Sequence, residues 1–285
     1  MISIEVDKLK LLRGNPIKID EKMILLQPTI GQIEEYDESK FMSVFYALCS
    51  CAWDRPAAFA DIGIDFMDVS DWEYFFQTVQ NFSKDDTCLI FGDLDFSKFK
   101  PFVYQLNNED DKKIILANIE PITINGITYD VREYQITEEL YNNFIPYVRE
   151  MIGFTHKGRK AKNKTTAKIL IMEDRKEQER NKNKPYTSLF HDGLISLVNT
   201  EEFPYTYETA FDITIYQFTK SLMQIQGKKQ AVALLQGSMS GFVDTKGIPS
   251  KNFQWIYSED KYNKTSGKTL KQSLAPGEGN KLNIK

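Results

Sequence analysis

The chain has 285 residues, 41% of them hydrophobic and 13% aromatic, and a formal net charge of −4. These are the proportions of a soluble globular protein long enough for one large domain or two of ordinary size. No apolar run approaches the ~20 residues of a membrane span, and three cysteines, two of them in Cys49-Ser50-Cys51, are too few and too close for a disulfide framework. The opening Met1 to Gly14 alternates charge with apolar residues and lacks the core of a signal peptide. A reducing cytoplasm is the expected setting.

Residues 2–30 suggest extended structure, with Ile17, Ile19 and Met23 to Leu26 as apolar positions and a turn at Gly14-Asn15-Pro16. From Ile30 to Trp53 the spacing of Phe41, Val44, Phe45, Leu48 and Ala52 predicts one helix. Ser70-Asp71-Trp72-Glu73 is a capping box ahead of a helix that buries Trp72, Phe75, Phe76 and Val79. Residues 87–136 are expected to be β structure, starting with Cys88 to Phe91 and Phe99 to Leu106. Within them, Asn125-Gly126 between Ile122-Thr123-Ile124 and Ile127-Thr128-Tyr129 marks a two-residue hairpin, because both turn positions require positive φ. Thr137 starts a helix along Leu140, Phe144, Tyr147, Val148 and Met151, which Pro146 should kink or divide.

Charge reverses between Lys157 and Lys184, where eleven Lys/Arg face four Asp/Glu, giving +7 against −11 for the remainder. Such a segment buries little, so it predicts a solvated helix or linker. Beyond it, Tyr207, Phe211, Ile215, Phe218, Leu222 and Ile225 keep helical spacing up to a terminator at Gly227, followed by a second helix over 228–236. Gly237, Gly241 and Gly247 loosen the chain before Phe253 to Tyr257, and 258–285 has the composition of a disordered tail.

Candidate chemistry is sparse. Asp61, Asp65, Asp68 and Asp71, and Asp93 with Asp95, offer oxygen ligands, but the first set has no calcium-loop spacing and the second no third ligand. A solvated acidic connection and a strand's solvent face are the plainer readings. His156 and His191 are the only histidines and accompany no nucleophile motif. Cys49 and Cys51, two apart on a helix, point away from each other and suggest small buried hydrophobes. Gly267-Lys268-Thr269 lacks the earlier glycine of a phosphate loop. Neither a catalytic residue, a metal site nor a cofactor is therefore expected. A polyanion could bind Lys157, Arg159, Lys160, Lys162, Lys164 and Lys168, although few aromatics are interleaved for base stacking.

Leu11 to Ile19, Leu26 to Ile33, Leu235 to Asp244 and Asn252 to Trp255 together resemble proteins of bacteriophage and prophage tail modules. Such proteins are similar to tail assembly chaperones, and the likeness covers about the first 80 residues and 205–256. It implies a non-enzymatic factor that binds the tape-measure protein in the host cytoplasm, without a membrane, and that self-associates. A virion component and a nucleic-acid module using 157–184 are the alternatives. The partner surface expected is Tyr207, Phe211, Ile215, Tyr216, Phe218, Leu222 and Met223.

The expected fold is α+β, a mainly helical body with a small β-hairpin-containing insertion. The expected divisions are a mixed domain over 1–156 with the insertion at about 85–136, the basic segment 157–184, a helical part 185–257 and the tail 258–285.

Overall fold

Side-chain caps decide where most helices of this chain begin. The computed structural model describes residues 6–105, 112–158 and 160–240, in which ten α-helices accompany seven short strands. It is an α+β fold with a mainly helical body and small antiparallel sheets. Two compact units divide at residue 220/221.

In the first unit, Asp7 accepts the Leu9 and Lys10 amides and starts α1 (Lys8–Leu12), where extended chain was expected. The strands β1 (Ile17–Lys18) and β2 (Ile24–Leu25) pair next. The single helix expected over 30–53 is two, α2 (Ile30–Tyr36) and α3 (Glu38–Cys49). Asp37 separates them at φ 103° and caps α3 by accepting the Lys40 amide. Next come α4 (Pro56–Asp61) and α5 (Asp71–Val79), the latter carrying the expected Ser70/Glu73 capping box.

Residues 88–91 correct the sequence reading: they belong to α6 (Lys84–Phe91), and β structure begins only at Phe99. A four-residue apolar run does not distinguish helix from strand. Here Asp86 accepts both the Ser83 amide and its hydroxyl, and Gly92 closes the helix at φ 60°. β3 (Phe99–Gln105), β4 (Lys112–Asn118) and β7 (Gln135–Ile136) form one antiparallel sheet. β5 (Ile122–Ile124) and β6 (Ile127–Tyr129) form the predicted hairpin, with Asn125 at φ 51° and Gly126 at φ 78°. Buried Asn118 holds the excursion closed, donating to the Glu120 and Asp130 carbonyls and accepting the Tyr134 amide. α7 (Glu138–Met151) runs unbroken through Pro146.

The core is aromatic. Phe144 of α7 lies 5.6 Å from both Phe75 of α5 and Phe91 of α6, each in an edge contact, and Phe96 closes the group from the chain that leads into β3. Arg149, the residue after Val148 in α7, donates to the Cys49 carbonyl at 2.9 Å and to the Tyr141 hydroxyl at 3.3 Å. The charged segment forms α8 (Lys164–Asn181). It is docked by one stripe, since Ala167, Leu170 and Ile171 join Ala52, Phe59, Phe66 and Tyr74. Buried Asp174, one turn further on, accepts the Ala57 amide.

α9 (Leu189–Val198) is tied back to the start of α3. The Glu38 carboxylate accepts from the Tyr186 and Ser188 hydroxyls and from the Leu189 and Phe190 amides. A carboxylate at a helix N-terminus is favoured by both free amides and the helix dipole. Gly193 of α9 lets Phe218 approach so closely that any Cβ would run into its ring.

The last helix also differs from expectation. α10 spans Ile215–Met239, so Tyr207 and Phe211 precede it, and the chain stays helical through Gly227. Thr214 and Gln217 form a reciprocal cap, the Thr214 hydroxyl accepting the Gln217 amide and the Gln217 side chain accepting the Thr214 amide. Good helix formers on both sides of Gly227 outweigh its propensity cost of about 1 kcal/mol. The second unit is described over 221–240, the C-terminal run of this helix. Residues 241–285, including Gly241, Gly247, Phe253 to Tyr257 and the expected tail, lie outside the described residues.

Replacing Glu38 with Ala should lower stability by about 2–3 kcal/mol, because four donors lose a charged acceptor. Glu38→Gln, which keeps an acceptor oxygen, should cost less. Urea unfolding followed by tryptophan fluorescence measures both, and equal, negligible losses would show that the clamp contributes nothing.

Candidate functional site

After α3 the chain turns sharply. Ser50 returns its hydroxyl to the Tyr46 carbonyl, and residues Ala52–Asp54 make one 3-10 turn. That turn folds the Asp54 carboxylate back, so that Oδ2 accepts the Cys51 amide at 3.0 Å and lies 3.3 Å from Cys51 Sγ. A second loop arrives after α7, leaving the helix through Gly153 at φ 66°. It brings His156 Nδ1 to 2.7 Å from Asp54 Oδ2 and 3.5 Å from Cys51 Sγ, and the Lys157 amide to 2.9 Å from Asp54 Oδ1. Phe154 holds the imidazole edge-on at 5.1 Å and itself rests against Tyr46. Cys51 and Asp54 are buried, whereas the His156 side chain is 36% exposed.

The electrostatics follow from this packing. Burial pushes the Cys51 thiol up to about 12, and the charge and hydrogen bond of Asp54 add to the shift. Burial also opposes the charge on Asp54, but His156, the Lys157 amide and both Cys51 donors outweigh it and hold the carboxyl well below the usual range. A Cys–His–acid relay uses one imidazole nitrogen toward the nucleophile and the other toward the acid. Here Nδ1 faces both. A protonated thiol beside a carboxylate is a poor nucleophile, so the three groups act as a polar clasp between two loops. Among the described residues this is the only group of three or more His, Cys, Asp or Glu side chains placed to share an ion.

The acidic residues noted in the sequence are dispersed. Asp61 pairs with Arg175, Asp65 accepts the Met67 amide, and Asp71 faces Arg149 at 3.5 Å. Asp93 pairs with Lys84 at 2.8 Å, while Asp95 caps the 3-10 turn Phe96–Lys98; both follow a helix, not a strand. Asp93 borders a cleft of about 410 Å³ with Lys22, Met23, Leu26, Phe91 and Tyr134. The Lys22 ammonium there is drawn over the Tyr129 and Tyr134 rings. His191 bonds its neighbour Asp192 on an exposed surface.

Lys157 is committed to Asp174 at 3.2 Å and Glu177 at 2.9 Å. Burial opposes its ammonium form, yet those two carboxylates prevail and raise its pKa. Lys160, Lys162, Lys164 and Lys168 are exposed, and Arg159 lies outside the described residues. α8 itself carries five Lys/Arg against four Asp/Glu, so most of the segment's excess charge lies in its flanks.

The expected partner surface also divides. Ile215, Tyr216 and Phe218 are buried, Phe218 lying edge-on to Phe190 of α9 at 5.3 Å. Tyr207, Phe211 and, in the second unit, Met223 are exposed, and Leu222 is half-buried.

Sequence reasoning missed Asp54 altogether and treated Cys51 as helical. Only the Cys51-x-x-Asp54 spacing could have suggested a turn, and nothing local points to a histidine 102 residues away.

Residues 180–258 match the family model described as YomV second domain, a phage- and prophage-type family. No curated protein and no solved structure matches the chain. No helix among the described residues is long and apolar enough to cross a membrane.

The cysteines should differ in reactivity. At about pH 7, iodoacetamide should alkylate half-exposed Cys88 first, leaving buried Cys49 and Cys51 unmodified until the chain unfolds. Peptide mass spectrometry of a time course reads this out. Fast labelling of Cys51 would mean that its thiol is activated after all.

Proposed function

We propose that this protein is a non-enzymatic assembly factor of a phage or prophage, acting as a tail assembly chaperone on the tape-measure protein. The reading rests on one observation. Of the twenty-two large apolar side chains that stand exposed among the described residues, ten fall between 180 and 240. That span is roughly a quarter of the described chain and coincides with the described part of the family match. Exposed apolar residues concentrated on one segment are the usual mark of a protein-binding surface.

Six of the ten belong to the first unit: Tyr186, Leu189, Ile195, Tyr205, Tyr207 and Phe211. Four belong to the second: Met223, Val232, Leu235 and Met239. In the second unit, Val232, Leu235 and Met239 recur at three and four, giving one helix face an apolar character. A long helical client offers matching apolar stripes, so recognition through such a face needs no reactive group. The same face supports self-association as a second use. The clasp at Cys51 agrees with a non-enzymatic role, since its single shared nitrogen cannot relay a proton from thiol to acid. The chaperone acts in the host cytoplasm and leaves before the virion is complete, so mass spectrometry of purified virions should find it absent.

Exchanging Tyr207 or Phe211 for Asp should abolish co-purification with the co-expressed tape-measure protein and leave the thermal midpoint nearly unchanged. Tyr216→Asp should instead destabilise the fold, because Tyr216 is buried. Undiminished co-purification by both Tyr207→Asp and Phe211→Asp would remove this surface from the interface and the reading with it.

A further inference from the structure

We propose that Cys51, Asp54 and His156 form a mononuclear site for a divalent transition-metal ion of the zinc type. The donor set is the first reason. One thiol sulfur, one imidazole nitrogen and one carboxylate oxygen are the ligand types that zinc takes, and sulfur with imidazole disfavours magnesium and calcium.

Geometry is the second reason. The three donor atoms lie 2.7, 3.3 and 3.5 Å from one another. Bond lengths of about 2.0–2.3 Å put tetrahedral ligands about 3.3–3.7 Å apart. Two of the three separations already match that spacing. The short one is the His156–Asp54 hydrogen bond, which an ion would replace and open by less than about 1 Å. That all three groups share one point, with Nδ1 facing both partners, is the arrangement that defeats a catalytic relay and suits a common ion.

Support around the ligands is the third reason. Asp54 is fixed by two backbone amides, from Cys51 and from Lys157, and the His156 ring is packed against Phe154. Outer contacts of this kind hold ligands in place before an ion arrives. Thiolate, carboxylate and neutral imidazole together carry two negative charges, which balance a dication. The proton that Cys51 gives up on coordination passes to solvent. Partly exposed His156 marks the side from which an ion can enter. The bound ion joins the 51–54 turn to the loop after α7, immediately before the segment that leads into α8.

The test uses the full chain, reduced and freed of metal, with Co²⁺ alone as probe. One equivalent should bind with a thiolate-to-cobalt charge-transfer band and the intense visible bands of four-coordinate cobalt. Zn²⁺ should displace it and raise the thermal midpoint. His156→Ala, a change at a partly exposed side chain, should keep the circular dichroism of the parent and weaken cobalt binding more than tenfold. Cys51→Ser should remove the charge-transfer band, and Cys88→Ser should leave it intact. Absence of the band from the folded parent would overturn the proposal and leave a hydrogen-bonded clasp only. A band that survives His156→Ala at undiminished affinity, or that disappears with Cys88, would overturn it as well. If Cys51→Ser does not fold, His156→Ala decides. The assembly reading stands or falls separately, since it rests on residues 180–240.

Discussion

The first unit is closed by a bridge between two threonines far apart in sequence. Thr29 and Thr214 pair antiparallel, Ile30 donating to the Ile213 carbonyl and Ile215 to the Pro28 carbonyl. Each threonine then caps a helix, with a glutamine three residues later returning the bond: Thr29 and Gln32 for α2, Thr214 and Gln217 for α10. Two short Thr-Ile-x-Gln segments thus satisfy each other's backbone and two helix starts at once. This bridge is why α10 begins only at Ile215, and why Ile215, Tyr216 and Phe218 face inward. Gln217 adds a bond to the Leu12 carbonyl, so the N-terminal helix is secured by the same element.

Polar groups in this protein mostly hold loops and helix ends against the aromatic core. Arg149 reaches the end of α3, Glu38 holds the start of α9, Asn118 closes the hairpin excursion, and Asp174 fastens α8 to α4. Each gives backbone groups a partner, and where the group is buried, as the Ala57 amide is, losing it would cost about 1–3 kcal/mol. The Cys51–Asp54–His156 clasp belongs to this set by its bonding. It differs from the others in its chemistry, because it alone combines sulfur, imidazole and carboxylate.

The basic segment serves the fold. Its charge made it the most conspicuous feature of the sequence, yet the fold uses part of that charge internally. Lys157 pairs with two carboxylates of α8, and Arg175 pairs with Asp61 of α4. The docked face of α8 is apolar, so the helix serves the core of the first unit. Exposed apolar surface, by contrast, gathers later in the chain, in the span that the phage-type family model covers.

The sequence by itself determined whatever depends on neighbours within four or five residues. The Ser70 and Thr137 caps, the Asn125-Gly126 hairpin, the apolar face of α7 and the overall α+β class all follow from such local chemistry. Where two local outcomes were close in energy, tertiary contacts chose. Cys88 to Phe91 became helix once Asp86 bound both Ser83 and Lys40, and Asp37 accepted a positive φ to let α3 turn. The Tyr207–Phe218 stripe was split by the bond from Ile215 to Pro28, which no helical spacing encodes. The candidate site was out of reach for the same reason. Cys51 and Asp54 are near neighbours, but His156 joins them only because α7 packs its aromatic face on α5 and α6 and so returns the chain to the end of α3. Spacing along the chain fixes hydrogen bonds that close small rings, whereas convergence over a hundred residues is fixed by packing.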